Sequence, residues 1–264
     1  MKKYNTGLVL SGGGTRGFAH LGVIAALFEK GVIPDVISGT SVGSIVGSFI
    51  ASGKTPQEIL AIFKKGWFFT YTKLQLPVDG LLKLDGLKEV IRKNIAAQSL
   101  EELKIPFFVA VSNLNKGVVE YRNSGNISET VLASSSIPIL FSPVSLDGNL
   151  YVDGGLMDNI PVEPIKNDCE KIIVSNISPL NPMEKFKNLI HIASRTFYMS
   201  VNANMKEVHK HATLFIEPEG IDSFDILSLS RADELYELGY RSAKNALEQQ
   251  QKIKIESNNN SLLS

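Results

Sequence analysis

Apolar residues in this chain gather in two alternating ways, short unbroken runs and longer stretches spaced by three and four. Thr6-Gly7-Leu8-Val9-Leu10 is a run of strand length that empties into the glycine-rich segment Ser11 to Gly17. Phe18, Leu21, Ile24, Ala25 and Phe28 follow at helical spacing, with Gly31 as the stop. Val36 and Ile37 end a second strand, and Val42, Ile45, Val46, Phe49 and Ile50 line one face of a second helix. Thr55 and Pro56 have the form of a helix start, a capping hydroxyl before a proline at the first helical position, and that helix is expected to reach about Lys65. Another is expected from Asp85 to about Asn94.

Pro106 to Ser112 is almost wholly apolar, as in a strand covered on both faces, and Val118 to Tyr121 is its hairpin partner across Asn115-Lys116-Gly117. A helix over Ser128 to Ser136 is ended by Ile137-Pro138, and two short strands flank the turn Asp147-Gly148-Asn149. Lys171 to Ser175 and Thr213 to Ile216 are further strands, with a long helix expected between them from about Glu184 to Lys210. The last helix runs from Ser230 to about Glu248, and the polar tail from Glu256 to Ser264 is expected to be disordered. No internal repeat is visible. Strands alternating with helices indicate an α/β chain, and 264 residues suffice for one large core.

One stretch has apolar bulk without clean periodicity. Gly66-Trp67-Phe68-Phe69-Thr70-Tyr71 is followed by Leu74, Leu76, Leu81, Leu82 and Leu84. Two readings stand side by side: a plug in the core, or a flap that lines an acyl-chain pocket or rests on a lipid surface.

Charge narrows the partners. The 27 basic and 27 acidic side chains balance and no basic tract occurs, so no field draws nucleic acid or an anionic membrane. The single cysteine, Cys169, excludes an intramolecular disulfide and fits a reducing, cytoplasmic setting. Met1-Lys2-Lys3 resembles the start of a secretory signal, but Leu8-Val9-Leu10 is too short an apolar core for one, so the mature chain is expected to begin at Met1. No stretch approaches the ~18 to 20 apolar residues of a membrane span, which leaves any lipid contact peripheral. Nothing in the sequence sets an oligomeric state.

Candidate chemistry begins at Gly39-Thr40-Ser41-Val42-Gly43. A Gly-x-Ser-x-Gly segment between strand and helix projects one serine from a sharp turn as a nucleophile. The plainer reading is a serine capping an ordinary helix. The loop Ser11 to Gly17 places backbone N–H groups at the positive end of a helix, where they attract negative charge. A Walker loop requires Lys and then Ser or Thr after its last glycine, but Phe18 and Ala19 follow Gly17. A dinucleotide fingerprint matches at Gly12, Gly14 and Gly17, yet Asp35, its acidic partner by distance, precedes the second strand instead of ending it. An oxyanion hole is the third use, favoured because the next strand carries the serine turn. Asp153, at the end of an apolar strand and before Gly154-Gly155, is either a turn residue or a carboxylate aimed from a rigid edge.

Gly12-Gly13-Gly14-Thr15-Arg16-Gly17, Gly39-Thr40-Ser41-Val42-Gly43 and Asp153-Gly154-Gly155, in that order, resemble the signature of the patatin-like phospholipases. Ala133 to Pro138, Phe141 to Val144 and Asp158-Asn159-Ile160-Pro161-Val162 resemble the family's setting of the aspartate, so the likeness spans about Leu8 to Val174. It implies a three-layer α/β/α fold with a mainly parallel central sheet, a patatin-like variant of a hydrolase fold. The catalytic domain would cover residues 1–255, with 256–264 the tail. It further implies a serine acyl-ester hydrolase with Ser41 as nucleophile, Asp153 as its partner, and Gly12, Gly13 and Gly14 as the oxyanion hole, working without metal or cofactor on a lipid or small acyl ester. Arg16 is a candidate for a lipid phosphate, and Trp67, Phe68 and Phe69 for the acyl chain. Two alternatives remain at this point: a triad completed by His191, His209 or His211, and a non-catalytic module holding an anion or nucleotide on the glycine loop.

Overall fold

The computed structural model describes residues 1–64, 84–138, 140–180, 205–224 and 231–261, together with positions 182, 192, 195, 196 and 199. Its elements are β1 (Tyr4–Leu10), α1 (Gly17–Glu29), β2 (Val36–Thr40), α2 (Val42–Ala51), α3 (Pro56–Lys64), α4 (Asp85–Asn94), β3 (Phe107–Asn113), β4 (Val118–Arg122), α5 (Ile127–Ser134), β5 (Val144–Leu146), β6 (Asn149–Asp153), β7 (Cys169–Ser175), α6 (Met205–His211), β8 (Leu214–Ile216) and α7 (Ala232–Ser261). Trp67, Phe68 and Phe69 lie outside the described residues, so the plug and flap readings of that stretch do too. Of the long helix expected from Glu184, α6 is the continuous described part.

Among the described residues eight strands form one sheet in the order β5-β6-β3-β2-β1-β7-β8, with β4 also on β3. The β3-β2-β1-β7-β8 pairings are parallel, and β4, β5 and β6 join antiparallel. Side chains alternate across this sheet as the pleat requires. Leu8, Leu10, Ile37, Val109 and Ile173 share a cluster with residues of α1, α2, α5 and α7. Val9, Val36, Ile172 and Val174 face the other way, onto Ile160, Val162, Ile165 and Val208 of α6. Both faces are covered, which is why the parallel strands read as unbroken apolar runs. The sequence expectation of an α/β fold around a mainly parallel sheet holds.

Helix ends follow local chemistry. Thr55 and Glu58 form a reciprocal cap before Pro56, with Thr55 N–H donating to Glu58 Oε2 at 2.8 Å and Glu58 N–H to Thr55 Oγ1 at 3.2 Å. Helix α5 starts at Ile127 because Asn126 Oδ1 accepts from Glu129 N–H at 3.1 Å. Helix α7 passes Glu248 and continues to Ser261, over positions expected to be tail. Gln249 to Glu256 contains neither glycine nor proline, so nothing in it stops a helix already formed.

Helix α1 is buried from Gly17 through Leu27, between the sheet and α7. The two helices touch backbone to backbone. A Cβ on Gly22 would stand 1.9 Å from the Tyr236 carbonyl oxygen, and one on Gly239 would stand 2.0 Å from that of Ala19. Gly22→Ala therefore forces α7 outward and is expected to destabilise the fold by about 1 to 3 kcal/mol. An unchanged denaturation midpoint would mean that the crossing is looser in solution.

The sheet also explains how distant parts of the chain meet. A strand has two edges, and β4 occupies one edge of β3 along Val109 to Asn113. The other edge is shared: Phe107 to Ala110 pair with β2, and Val111 to Asn113 pair with β6. Thr40, at the end of β2, lies opposite Ala110, and Asp153, at the end of β6, lies opposite Val111. The residue after Thr40 thus arrives beside Asp153.

Candidate active site

That residue is Ser41. It turns the chain from β2 into α2 at φ 52° and ψ −124°, a conformation costly for any residue with a side chain. The turn is tight enough that a Cβ on Gly43 would stand 2.3 Å from the Leu10 carbonyl oxygen at the end of β1. Ser41 makes no side-chain bond to the helix it precedes, which excludes the capping role. Its Oγ instead donates to Asp153 Oδ2 at 2.6 Å, and its N–H donates to Ser134 Oγ at 2.9 Å. The Ser134 hydroxyl in turn donates to the Ala110 carbonyl at 2.7 Å, tying the turn to α5 and β3.

Asp153 fulfils both readings of its sequence position. Its Oδ1 accepts from Gly155 N–H at 2.7 Å, as a turn aspartate does, while Oδ2 faces Ser41. Its own N–H donates to the Ser136 carbonyl at 2.9 Å, and its carbonyl accepts from Ser112 Oγ at 2.9 Å, so the strand end is held on both sides. The residue is 1% exposed. Burial pushes its carboxyl up to about 7, against the opposing pull of the Ser41 and Gly155 hydrogen bonds.

Among the described residues no imidazole stands between the two. His20 is buried, with Nε2 2.9 Å from the Ser11 carbonyl and Nδ1 2.8 Å from Ser175 Oγ. A carbonyl only accepts, so Nε2 carries the proton and Nδ1 accepts from the serine. Burial holds this ring neutral, with its pKa lowered to about 4. His209 stacks beside Phe215, and His211 is 2.9 Å from Glu207, both at the β7–β8 side of the sheet. His191 lies outside the described residues.

The glycine loop is pinned from below. Ser11 N–H donates to the Ser175 carbonyl at 3.1 Å, Ile177 N–H donates to Ser11 Oγ at 3.0 Å, and Ser178 Oγ donates to the Gly12 carbonyl at 2.8 Å. Of the three glycines expected to supply donors, Gly12 has its N–H engaged by Asn159, by Oδ1 at 3.1 Å and the main-chain oxygen at 3.2 Å. The N–H groups of Gly13 and Gly14 have no acceptor among the described residues, and α1 begins three residues on.

Arg16 donates through Nε and Nη2 to the carbonyls of Phe224 and Asp222 at 3.0 Å each, and so ties the loop to residues 222–224. Asp35 accepts from Asn5 and Thr6 N–H at 3.1 and 2.8 Å, at the opposite end of β1 from the glycine loop, so it cannot reach a ribose there. Among the described residues no three His, Cys, Asp or Glu side chains cluster as metal ligands. Ser134, Asn159 and His20 support the site although sequence reasoning assigns none of them a role in it. Ser134 and Asn159 have a visible signal, their places in Ala133 to Pro138 and in Asp158-Asn159-Ile160-Pro161, and His20 has none.

Comparison with known proteins places the chain among relatives of one kind. The lysophospholipase NTE1 of Mycosarcoma maydis is 28% identical over 278 residues, 92% of this chain and 15% of that protein. The lysophospholipase nte1 of Neosartorya fischeri is 29% identical over 284 residues, 95% of this chain and 18% of that protein. The chain thus spans less than a fifth of the length of these relatives. Among solved structures, VipD from Legionella pneumophila shares the fold with a TM-score of 0.54 at 17% identity, over 94% of this chain and 67% of that one. A chain of the SpcU–ExoU complex from Pseudomonas aeruginosa does so with a TM-score of 0.50 at 13% identity, over 94% and 53%. A family model described as patatin-like phospholipase matches residues 8–166, a span that holds the glycine loop, the serine turn and Asp153 together, and the chain belongs to the patatin-like phospholipase family.

Proposed function

We propose that this chain is a serine acyl-ester hydrolase of lipids, with Ser41 and Asp153 as a catalytic dyad working through an acyl-enzyme. The observation that carries the proposal is the 2.6 Å hydrogen bond from Ser41 Oγ to Asp153 Oδ2. Ser41 Oγ attacks the ester carbonyl carbon while its proton passes to Asp153 Oδ2. The carbonyl oxygen becomes an oxyanion facing the N–H groups of Gly13 and Gly14, each such donor being worth about 3 kcal/mol in the transition state. Asp153 then gives the proton to the departing alkoxide oxygen, leaving the acyl group on Ser41. Water attacks the acyl-enzyme, Asp153 takes the water's proton, and the collapsing intermediate releases the fatty acid as Ser41 Oγ recovers that proton.

An ordinary aspartate, near pKa 3.9, is a weak base toward a hydroxyl at neutral pH. The buried Asp153, raised to about 7, is much better matched to the task. Lysophospholipids are the substrates to try first, since the curated relatives are named as lysophospholipases. None of the described helices is long and apolar enough to cross a membrane, and the substrate is taken to be met at a lipid surface.

A fluorophosphonate carrying an alkyl chain tests this directly. One adduct per chain, mapped by peptide mass to Ser41, is expected, together with release of fatty acid from lysophosphatidylcholine. Absence of the adduct, or its placement on another residue, would leave the glycine loop as an anion-binding feature and remove the hydrolase.

A further inference from the structure

Asn159 holds a polar group that nothing among the described residues satisfies. Gly12 N–H is a donor, so the carboxamide atom 3.1 Å from it must be the oxygen, and the orientation of the amide is fixed by that contact. The other end, Nδ2, is buried and has no hydrogen-bond partner. Asn159 as a whole is 3% exposed. A serine hydroxyl in that position would rotate toward any weak acceptor, but a carboxamide locked through its oxygen cannot. An unpaired buried donor is costly, and folded proteins retain few of them.

The position of this donor suggests its use. The point that a Gly12 Cβ would occupy is 2.4 Å from Asn159 Oδ1 and 3.2 Å from Ser41 Cβ, so the carboxamide and the nucleophile crowd the same glycine. The segment carrying Asn159 is anchored beside the serine turn: Thr40 Oγ1 donates to the Asp158 carbonyl at 2.9 Å, and Tyr121 Oη donates to Asp158 Oδ2 at 2.6 Å. Asn159 thus occupies the Gly12 N–H, the first donor of the loop, through its oxygen, and the N–H2 of the same carboxamide is left unpaired.

We infer that Asn159 Nδ2 is a third oxyanion donor, replacing the Gly12 N–H that Asn159 itself occupies and pairing with the acyl oxygen of a bound ester. The inference rests on the hydrolase reading above. Side-chain carboxamides fill this role in other acyl-transfer sites, and loss of one such donor lowers kcat by about 100-fold or more.

Two variants isolate the donor. Asn159→Asp keeps an oxygen for Gly12 N–H and removes the N–H2, whereas Asn159→Leu removes both without adding charge and leaves Gly12 N–H its main-chain acceptor. With lysophosphatidylcholine as substrate, both variants are expected to lose about 100-fold in kcat with KM within about threefold of the parent. Both should also keep a cooperative thermal transition. A loss confined to Asn159→Leu would make the residue a clamp for the loop, a loss confined to Asn159→Asp would report only the added charge, and either result overturns the inference. Parent-like kcat in both variants, beside an inactive Ser41→Ala, overturns it while leaving the hydrolase intact. Full activity in Ser41→Ala would remove both.

Discussion

Ser41→Ala and Asp153→Asn are each expected to lower ester hydrolysis by about 10⁴-fold or more, while His191→Gln, His209→Gln and His211→Gln combined leave kcat within about threefold. The serine change deletes the attacking atom. The asparagine change keeps a hydrogen-bonding partner of the same shape at Ser41 but cannot take a proton, so the hydroxyl stays a hydroxyl. Both oxygens of Asp153 are already engaged, by Ser41 and by Gly155 N–H, whereas a triad carboxylate would spend one on an imidazole. Two of the three histidines belong to α6, which packs at the β7–β8 side of the sheet and not at the shared edge of β3. His20 stays out of the combined variant because its ring is wedged between Ser11 and Ser175, and its replacement would disturb the glycine loop for structural reasons. Release of fatty acid, followed with purified protein and lysophosphatidylcholine, reads all of these. A collapse of activity in the triple histidine variant would replace the dyad by a triad.

Much of this site is legible in the sequence because its chemistry is local. A tight turn needs glycine at fixed offsets, so the Gly39 to Gly43 and Gly12 to Gly17 segments announce their backbone shape whatever the remainder of the chain does. The approach of residue 41 to residue 153 is a different matter. It depends on β2 and β6 dividing one edge of β3 between them, a pairing of three segments that no local pattern encodes. Only the joint resemblance of the three motifs to one family points to it. Single polar residues such as Ser134 and Asn159 carry no periodicity and acquire meaning from partners about 93 and 147 positions away. Arg16 has contacts that its neighbours in sequence do not show: a cation beside an anion-binding loop suggests a phosphate ligand, and its Nε and Nη2 also reach the carbonyls of residues 224 and 222. The end of α7 is misread because a polar sequence resembles a tail, although helix propensity depends on the absence of glycine and proline more than on hydrophobicity.

The raised pKa of Asp153 ties activity to stability with opposite signs: as pH rises toward neutrality, activity is gained and stability is lost. The base is the deprotonated carboxylate, so kcat/KM for an ester without titratable groups is expected to rise about tenfold per pH unit below pH 6 and to level off above pH 8. A carboxyl at its ordinary 3.8 would instead give a flat profile over that range. For stability, the folded-state value of about 7 lies above the unfolded-state value near 3.8, so between those pH values the folded chain keeps a proton that the unfolded chain has released. Stability must then fall as pH rises from about 4 to 7, by about 4 kcal/mol at most, since a tenfold difference in proton affinity between the two states corresponds to about 1.4 kcal/mol. Asp153→Asn removes this titration. The inactive variant is expected to match the parent closely near pH 4 and to exceed it by about 2 to 4 kcal/mol at pH 8, read from denaturant midpoints at the two pH values. An Asp153→Asn midpoint no higher than the parent's at pH 8, or a flat pH profile of the parent's activity between 5 and 9, would show that water reaches the carboxylate. The desolvation that makes Asp153 a base would then be absent, and the acceleration would have to come from the oxyanion donors alone.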